Sequence, residues 1–185
     1  MEVNARDTAL VITDPQNDFR SPDGATWGLV GESVEANGTV EHIEQLFKAA
    51  KERGDDVFIS PSGWQFGGTV EQMMHDIGMF SRKDALSGEG FEGSSADWLA
   101  RFKPYIADGK TIVVSPHKVY GPENNDLVLQ LRKRGKSKVI LASMSANLRT
   151  EAHPRELLEQ GFEVGIVADA NAVLKTDEAV ASMTA

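Results

Sequence analysis

Three polar groups follow apolar runs in this chain, and their types suit proton transfer and anion stabilisation. Asp14 comes directly after the run Thr8–Thr13, in VITDPQNDF. A carboxylate just past a buried strand can act as a general base or acid. The same residue before Pro15 also suits a plain turn, and local sequence leaves both readings open. Asp18, four residues on, reads as a helix or turn cap. Lys118, in SPHKVYG, is a cation able to orient a carboxylate and stabilise an anion, or else an exposed loop charge. His117 beside it reads as a structural hydrogen-bonding histidine. The third group belongs to VILASMSANLRTEAH, from Val139 to His153. This stretch reads as a buried strand passing through a small-residue turn into a helix N-terminus, where backbone N–H groups collect and can hold developing negative charge. Such an elbow usually presents a nucleophile. Its outward-aimed position here is Arg149, and the chain contains no cysteine.

Other chemistry-bearing residues have simpler readings. The glycine-rich stretches Gly63–Gly68 and Gly88–Gly93 do not follow strands at phosphate-loop spacing and read as flexible loops. Trp64, Phe66 and Phe91 could wall a pocket, although scattered aromatics are more often packing. His42 and His75 fall on helical segments, and no pair of the four histidines has metal-ligand spacing. No metal and no cofactor is therefore expected. The basic run Arg132-Lys133-Arg134, with Lys136 and Lys138, reads as a solvated helix terminus that suits the helix dipole.

Short β-rich apolar runs must position the three groups. Strands are expected over Thr8–Thr13, Val57–Ser60, Thr111–Ser115, Lys138–Ala142 and Val164–Ala168, with a weaker sixth over Ala172–Leu174. Their near-continuous hydrophobicity is that of parallel strands covered on both faces. Between them, Val40, Ile43, Leu46, Phe47 and Ala50 make an amphipathic helix stopped by Gly54. Val70, Met73, Met74 and Ile77 make another ending at Gly78, with the methionines as core packing. Asn125–Arg134 and Asn147–Gln160 are two more, stopped by Gly135 and Gly161. This alternation predicts a three-layer α-β-α fold, a doubly wound, mostly parallel, Rossmann-like sheet of five or six strands. Its active crevice should lie at the carboxyl ends of the strands.

With 185 residues, 41% of them hydrophobic, one domain over residues 1–185 is expected, without repeats or linkers. The 19 basic and 28 acidic residues give a net charge of −9, which disfavours nucleic acid as a partner. No apolar run approaches the ~20 residues needed to span a bilayer, so no membrane partner is expected. The absence of cysteine and the acidic, non-hydrophobic N-terminus fit a cytoplasmic protein without a signal peptide.

Taken together, Asp14 in DPQNDF, Lys118 in SPHKVYG and the segment SMSANLRTEAHPREL resemble the isochorismatase-like hydrolase superfamily, also called the cysteine hydrolases. The resemblance spans nearly the whole chain in the right order. It implies a six-stranded parallel sheet flanked by helices, and a triad of Asp, Lys and Cys. In that triad the cysteine attacks an amide carbonyl and the Asp takes its proton. Asp14 and Lys118 match the first two members, and Arg149 occupies the cysteine position. The resemblance further implies an oxyanion hole from the backbone N–H groups of Ser145 and Arg149, with a non-proline cis peptide at Met144–Ser145. A small-molecule substrate or anion is the implied partner, and a homo-oligomer, dimer or tetramer, the implied assembly.

The departures from that pattern shape the expected activity. Arginine stays protonated and cannot be a nucleophile. It would set a second cation beside Lys118, favouring ionised Asp14 and spoiling it as an acid. Pro154 falls inside the elbow helix, where it removes a hydrogen bond. The loop Pro61-Ser62-Gly63 is short where many relatives carry a longer insertion with substrate- or metal-binding histidines. Only Asp169-Ala170-Asn171 separates the last two apolar runs, although parallel neighbours need a crossover of about a dozen residues. The expectation is a hydrolase scaffold with a modified site, acting on an amide-type C–N bond or on a vinyl ether. The vinyl ether enters because isochorismatases proper can work without the cysteine. The alternative is a catalytically silent, anion-binding or scaffold relative in which Arg149 pairs with Asp14.

Overall fold

A computed structural model describes residues 1–24, 27–62, 91–94, 96–117, 122, 125–143 and 149–172, without the side chains of Leu29, Arg149, Thr150 and Glu151. Its elements, in chain order, are β1 (Thr8–Thr13), α1 (Asn17–Arg20), α2 (Trp27–Ala36), α3 (Thr39–Arg53), β2 (Asp56–Ser60), α4 (Lys103–Ile106), β3 (Ile112–Val113), α5 (Leu127–Lys133), β4 (Lys138–Ala142), α6 (Arg149–Glu159) and β5 (Glu163–Ile166). The five strands form one parallel sheet in the order β3-β2-β1-β4-β5. The order reverses between β1 and β4, and an open sheet of this kind places its crevice at such a switch point.

All six residues of β1 are buried, because helices cover both faces of the sheet. Side chains alternate across the sheet, so the apolar run serves two cores at once. Leu10 and Ile12 pack with Val57 and Ile59 against Ile43, Phe47 and Ala50 of α3 and Phe102 and Ile106 around α4. Ala9 and Val11 pack with Phe58, Val139 and Leu141 against Leu127 and Leu131 of α5 and Leu157 of α6. Phe47 is fully buried and stacks on Tyr105 at 5.2 Å between ring centroids. Gly54 ends α3 in the left-handed region at φ 73°, its N–H bonded to the carbonyls of Ala50 and Lys51.

Several expectations change in detail. The third strand shortens to two residues, although the N–H of Val114 still donates to the Ile59 carbonyl. The fifth runs over Glu163–Ile166 and then turns through a single 3₁₀ turn at Ala168–Ala170. Ala172 lies outside any strand, and the rest of the weak sixth run is outside the described residues. The three residues that cannot make a crossover do something else. Asn171 accepts the N–H of Ser143 at 2.8 Å, just past β4, and donates to the Val167 carbonyl. Its own carbonyl accepts from Asn37 and Thr39.

Helices α1 and α4 are single turns, and α2 is interrupted by glycine, so none carries the long periodicity that predicts a helix. Asp18 is not a cap. It lies buried in the first turn of α1, after Gln16 at the N-cap. The chain approaches itself closely here, since a Cβ on Gly24 would meet the Asp18 carbonyl oxygen at 2.5 Å. The basic run is also more than a solvated terminus. Lys136 is 4% exposed and donates to the Ala5 carbonyl while pairing with Asp56 at 3.0 Å. Arg132 sits over the Phe162 ring, and Lys138 pairs with Asp7 at 3.2 Å. The helix over 70–77 is outside the described residues, as is Gly63 of the short loop.

Candidate active site

Asp14 stands immediately past β1, the central strand, and is wholly buried. Its backbone takes φ 50°, the one non-glycine residue in the left-handed region among the described residues. That conformation costs on the order of 1–3 kcal/mol and persists where the surroundings over-determine it. Two contacts do so here. The N–H of Asp14 donates to the Ser60 carbonyl at 3.1 Å, which extends the β1–β2 ladder one residue beyond the strand. Its Oδ1 meets His117 Nε2 at 3.1 Å.

His117 arrives from the end of β3. Its N–H donates to the Pro61 carbonyl, and it bridges in parallel to Ser62, so the two strand ends fan together at the carboxyl edge. Gln16 fastens the same corner, donating to the Ser62 carbonyl at 2.9 Å and accepting its N–H at 2.8 Å. His153, one turn into α6, sets its ring edge-on to His117 at 4.7 Å between centroids. His153 Nε2 lies 3.4 Å from Ser60 Oγ, which also accepts from Asn125 Nδ2 at 3.0 Å. Thr13 and Ser143, at the ends of β1 and β4, share a hydroxyl hydrogen bond at 2.7 Å. Strands β1, β2, β3 and β4, together with α6, thus bring a buried polar cluster to one edge of the sheet.

Arg20, at the end of α1, is 2% exposed. Burial pushes its guanidinium pKa down to about 10, while the negative charge of Asp14 pulls it up. That pull places Arg20 within electrostatic reach of the carboxylate.

Of the residues expected at the site, Asp14 lies at a strand end, and His117 is among its partners. Lys118 and Ser145 are outside the described residues, as is the Met144–Ser145 peptide. Arg149 is the first described residue of α6, and the turn expected before it is outside the described residues. Sequence reading missed Arg20, Ser60 and Asn125, and gave His117 no partner. Nothing in the spacing of DFR marks its arginine as buried, and Ser60 reads as the last residue of a strand. Phe91 packs edge-on to Trp98 at 5.7 Å, while Trp64 and Phe66 are outside the described residues. His42 sits on the surface of α3 against Asp169. No group of three or more potential metal ligands occurs among the described residues.

An isochorismatase domain matches residues 8–185. The chain belongs to the isochorismatase family. Among curated proteins it is similar to the ureidoacrylate amidohydrolase RutB of Variovorax paradoxus, 25% identical over 180 residues that cover 92% of this chain and 70% of that protein. Among solved structures, a cysteine hydrolase from Pseudomonas syringae pv. phaseolicola superposes with a TM-score of 0.74 at 19% identity, covering 98% of this chain and 85% of that one. A pyrazinamidase/nicotinamidase from Streptococcus mutans superposes with a TM-score of 0.69 at 20% identity, covering 96% and 93%. The fold expected of this family, a parallel α/β sheet with helices on both faces, is the one observed. The chain carries an isochorismatase-family hydrolase scaffold.

Proposed function

We propose that the chain is a small-molecule hydrolase that works without a cysteine, with Asp14 moving the proton at an amide-type C–N bond or a vinyl ether. The observation that carries this reading is Asp14 itself, a buried carboxylate held in a strained backbone at the carboxyl end of the central strand. Strain of this kind collects at functional sites. With no cysteine in the chain, a covalent thioester route is closed. A water activated by Asp14, or a proton delivered from it, is the remaining route. The resemblance to an amidohydrolase supports the C–N bond. In this reading Lys118, next to His117, supplies a cation. Arg149 stands at the nucleophile position and binds rather than attacks, and the N–H groups of Ser145 and Arg149 receive the developing negative charge.

A second reading is a silent, anion-binding or scaffold relative in which Arg149 pairs with Asp14. The absence of any cysteine favours it. Assay of the purified chain against small amides, ureido compounds and a vinyl ether separates the two. Turnover that falls roughly 100-fold or more in Asp14→Asn is expected for the hydrolase, the scale of a lost acid–base group. An inert parent across that panel would leave the silent reading.

A further inference from the structure

The side chain of Arg20 is buried at the end of α1, and none of its Nε, Nη1 and Nη2 atoms reaches a hydrogen-bond acceptor among the described residues. A guanidinium carries five N–H donors in a rigid fork and stays charged at any working pH. Enclosing one without acceptors costs several kcal/mol, and proteins remove such groups unless they serve a purpose. A long cationic side chain normally escapes by extending to water, which this one does not do. Its position supplies the purpose. Asp14 is close enough for its charge to act on the guanidinium, yet no hydrogen bond joins the two. The orphaned fork therefore belongs to the neighbourhood of the candidate active site, at the end of the first helix after β1.

We propose that Arg20 is the anchor for a substrate carboxylate: a small carboxylate-bearing molecule at the Asp14 centre supplies the paired oxygens that the guanidinium fork lacks. A planar carboxylate fits that fork with two parallel N–H···O bonds, and shielding from water strengthens both. The assignment moves the anion-binding role from the elbow arginine to Arg20. It rests on the hydrolase reading only for where the reacting bond lies, because binding at Arg20 requires no turnover. A carboxylate that binds to an inert chain would keep the anchor and count against the hydrolase.

Thermal unfolding of the full chain with sodium benzoate, sodium malonate and inorganic phosphate tests the proposal, using Arg20→Leu and Arg20→Lys. Without added anion, Arg20→Leu is expected to raise Tm by roughly 5 °C, because it removes a buried charge that has no hydrogen-bond acceptors among the described residues. Benzoate or malonate should raise the Tm of the parent and leave that of Arg20→Leu unmoved. Arg20→Lys keeps the charge without the fork and should bind the same carboxylate roughly tenfold more weakly. A carboxylate shift that survives in Arg20→Leu, or no carboxylate shift in the parent, would overturn the assignment. A larger response to phosphate than to either carboxylate would do the same. A lower Tm in Arg20→Leu without anion would show that the guanidinium already has its partners within the fold, and would also overturn it.

Discussion

At the scale of single residues, charge placement explains more than residue type. Asp14 has a histidine on one side and a buried arginine whose charge it feels, so its surroundings come from the segment after β3 and from α1. Asp108 shows the same logic far from the site. Burial pushes its carboxyl up, but Lys51 at 2.6 Å and the N–H groups of Thr111 and Lys110 outweigh that and hold it at about 2 rather than 3.8. A carboxyl lowered by folding stabilises the native state above its unfolded value, and that stability disappears as pH falls through the folded value. Stability should therefore decline between about pH 4 and pH 2. Asp108→Asn should remove roughly 1 kcal/mol at neutral pH after allowance for screening by water, and flatten part of that decline. Urea unfolding at neutral pH and near pH 3 measures both.

At the scale of elements, the expected and observed boundaries agree where hydrophobic pattern is long and part where tertiary contacts decide. Strand β1 and helix α3 were legible because six consecutive buried residues and a run of apolar positions ending at a glycine have few other solutions. Helix α2 was not, since it buries only a short stripe around Val30 and Val34 between glycines. The fifth strand was expected to run two residues too far, to Ala168, because Asn171, which ties Ser143 and α3 together, gives no local signal of its long-range bonds. Helix α6 keeps Pro154 in its interior, so the Thr150 carbonyl loses the N–H it would otherwise receive. Pro154→Ala should stabilise the chain by about 2 kcal/mol in urea unfolding. A loss of stability instead would mean that the ring's packing outweighs the missing bond.

At the scale of the whole molecule, motif order sufficed to indicate the fold, while the inner contacts of the site needed coordinates. Three strand-end motifs in the right order pointed to the isochorismatase fold, and the parallel five-stranded sheet has that architecture. The cluster around Asp14 could not be read in the same way, because Arg20, Ser60, His117 and His153 come from four elements scattered over more than two-thirds of the chain. Their convergence is a property of packing, which periodicity does not encode. Among the described residues no helix is long and apolar enough to cross a membrane. What the sequence states most plainly is an isochorismatase-family domain in a chain without cysteine. Amide turnover by Arg149→Cys, measured beside the parent and beside Arg149→Cys combined with Asp14→Asn, tests that account most directly. The account predicts at least a 100-fold gain over the parent that Asp14→Asn abolishes, the scale of restored nucleophile and base acting together. An Arg149→Cys protein that folds normally and turns over no faster than its parent would contradict it.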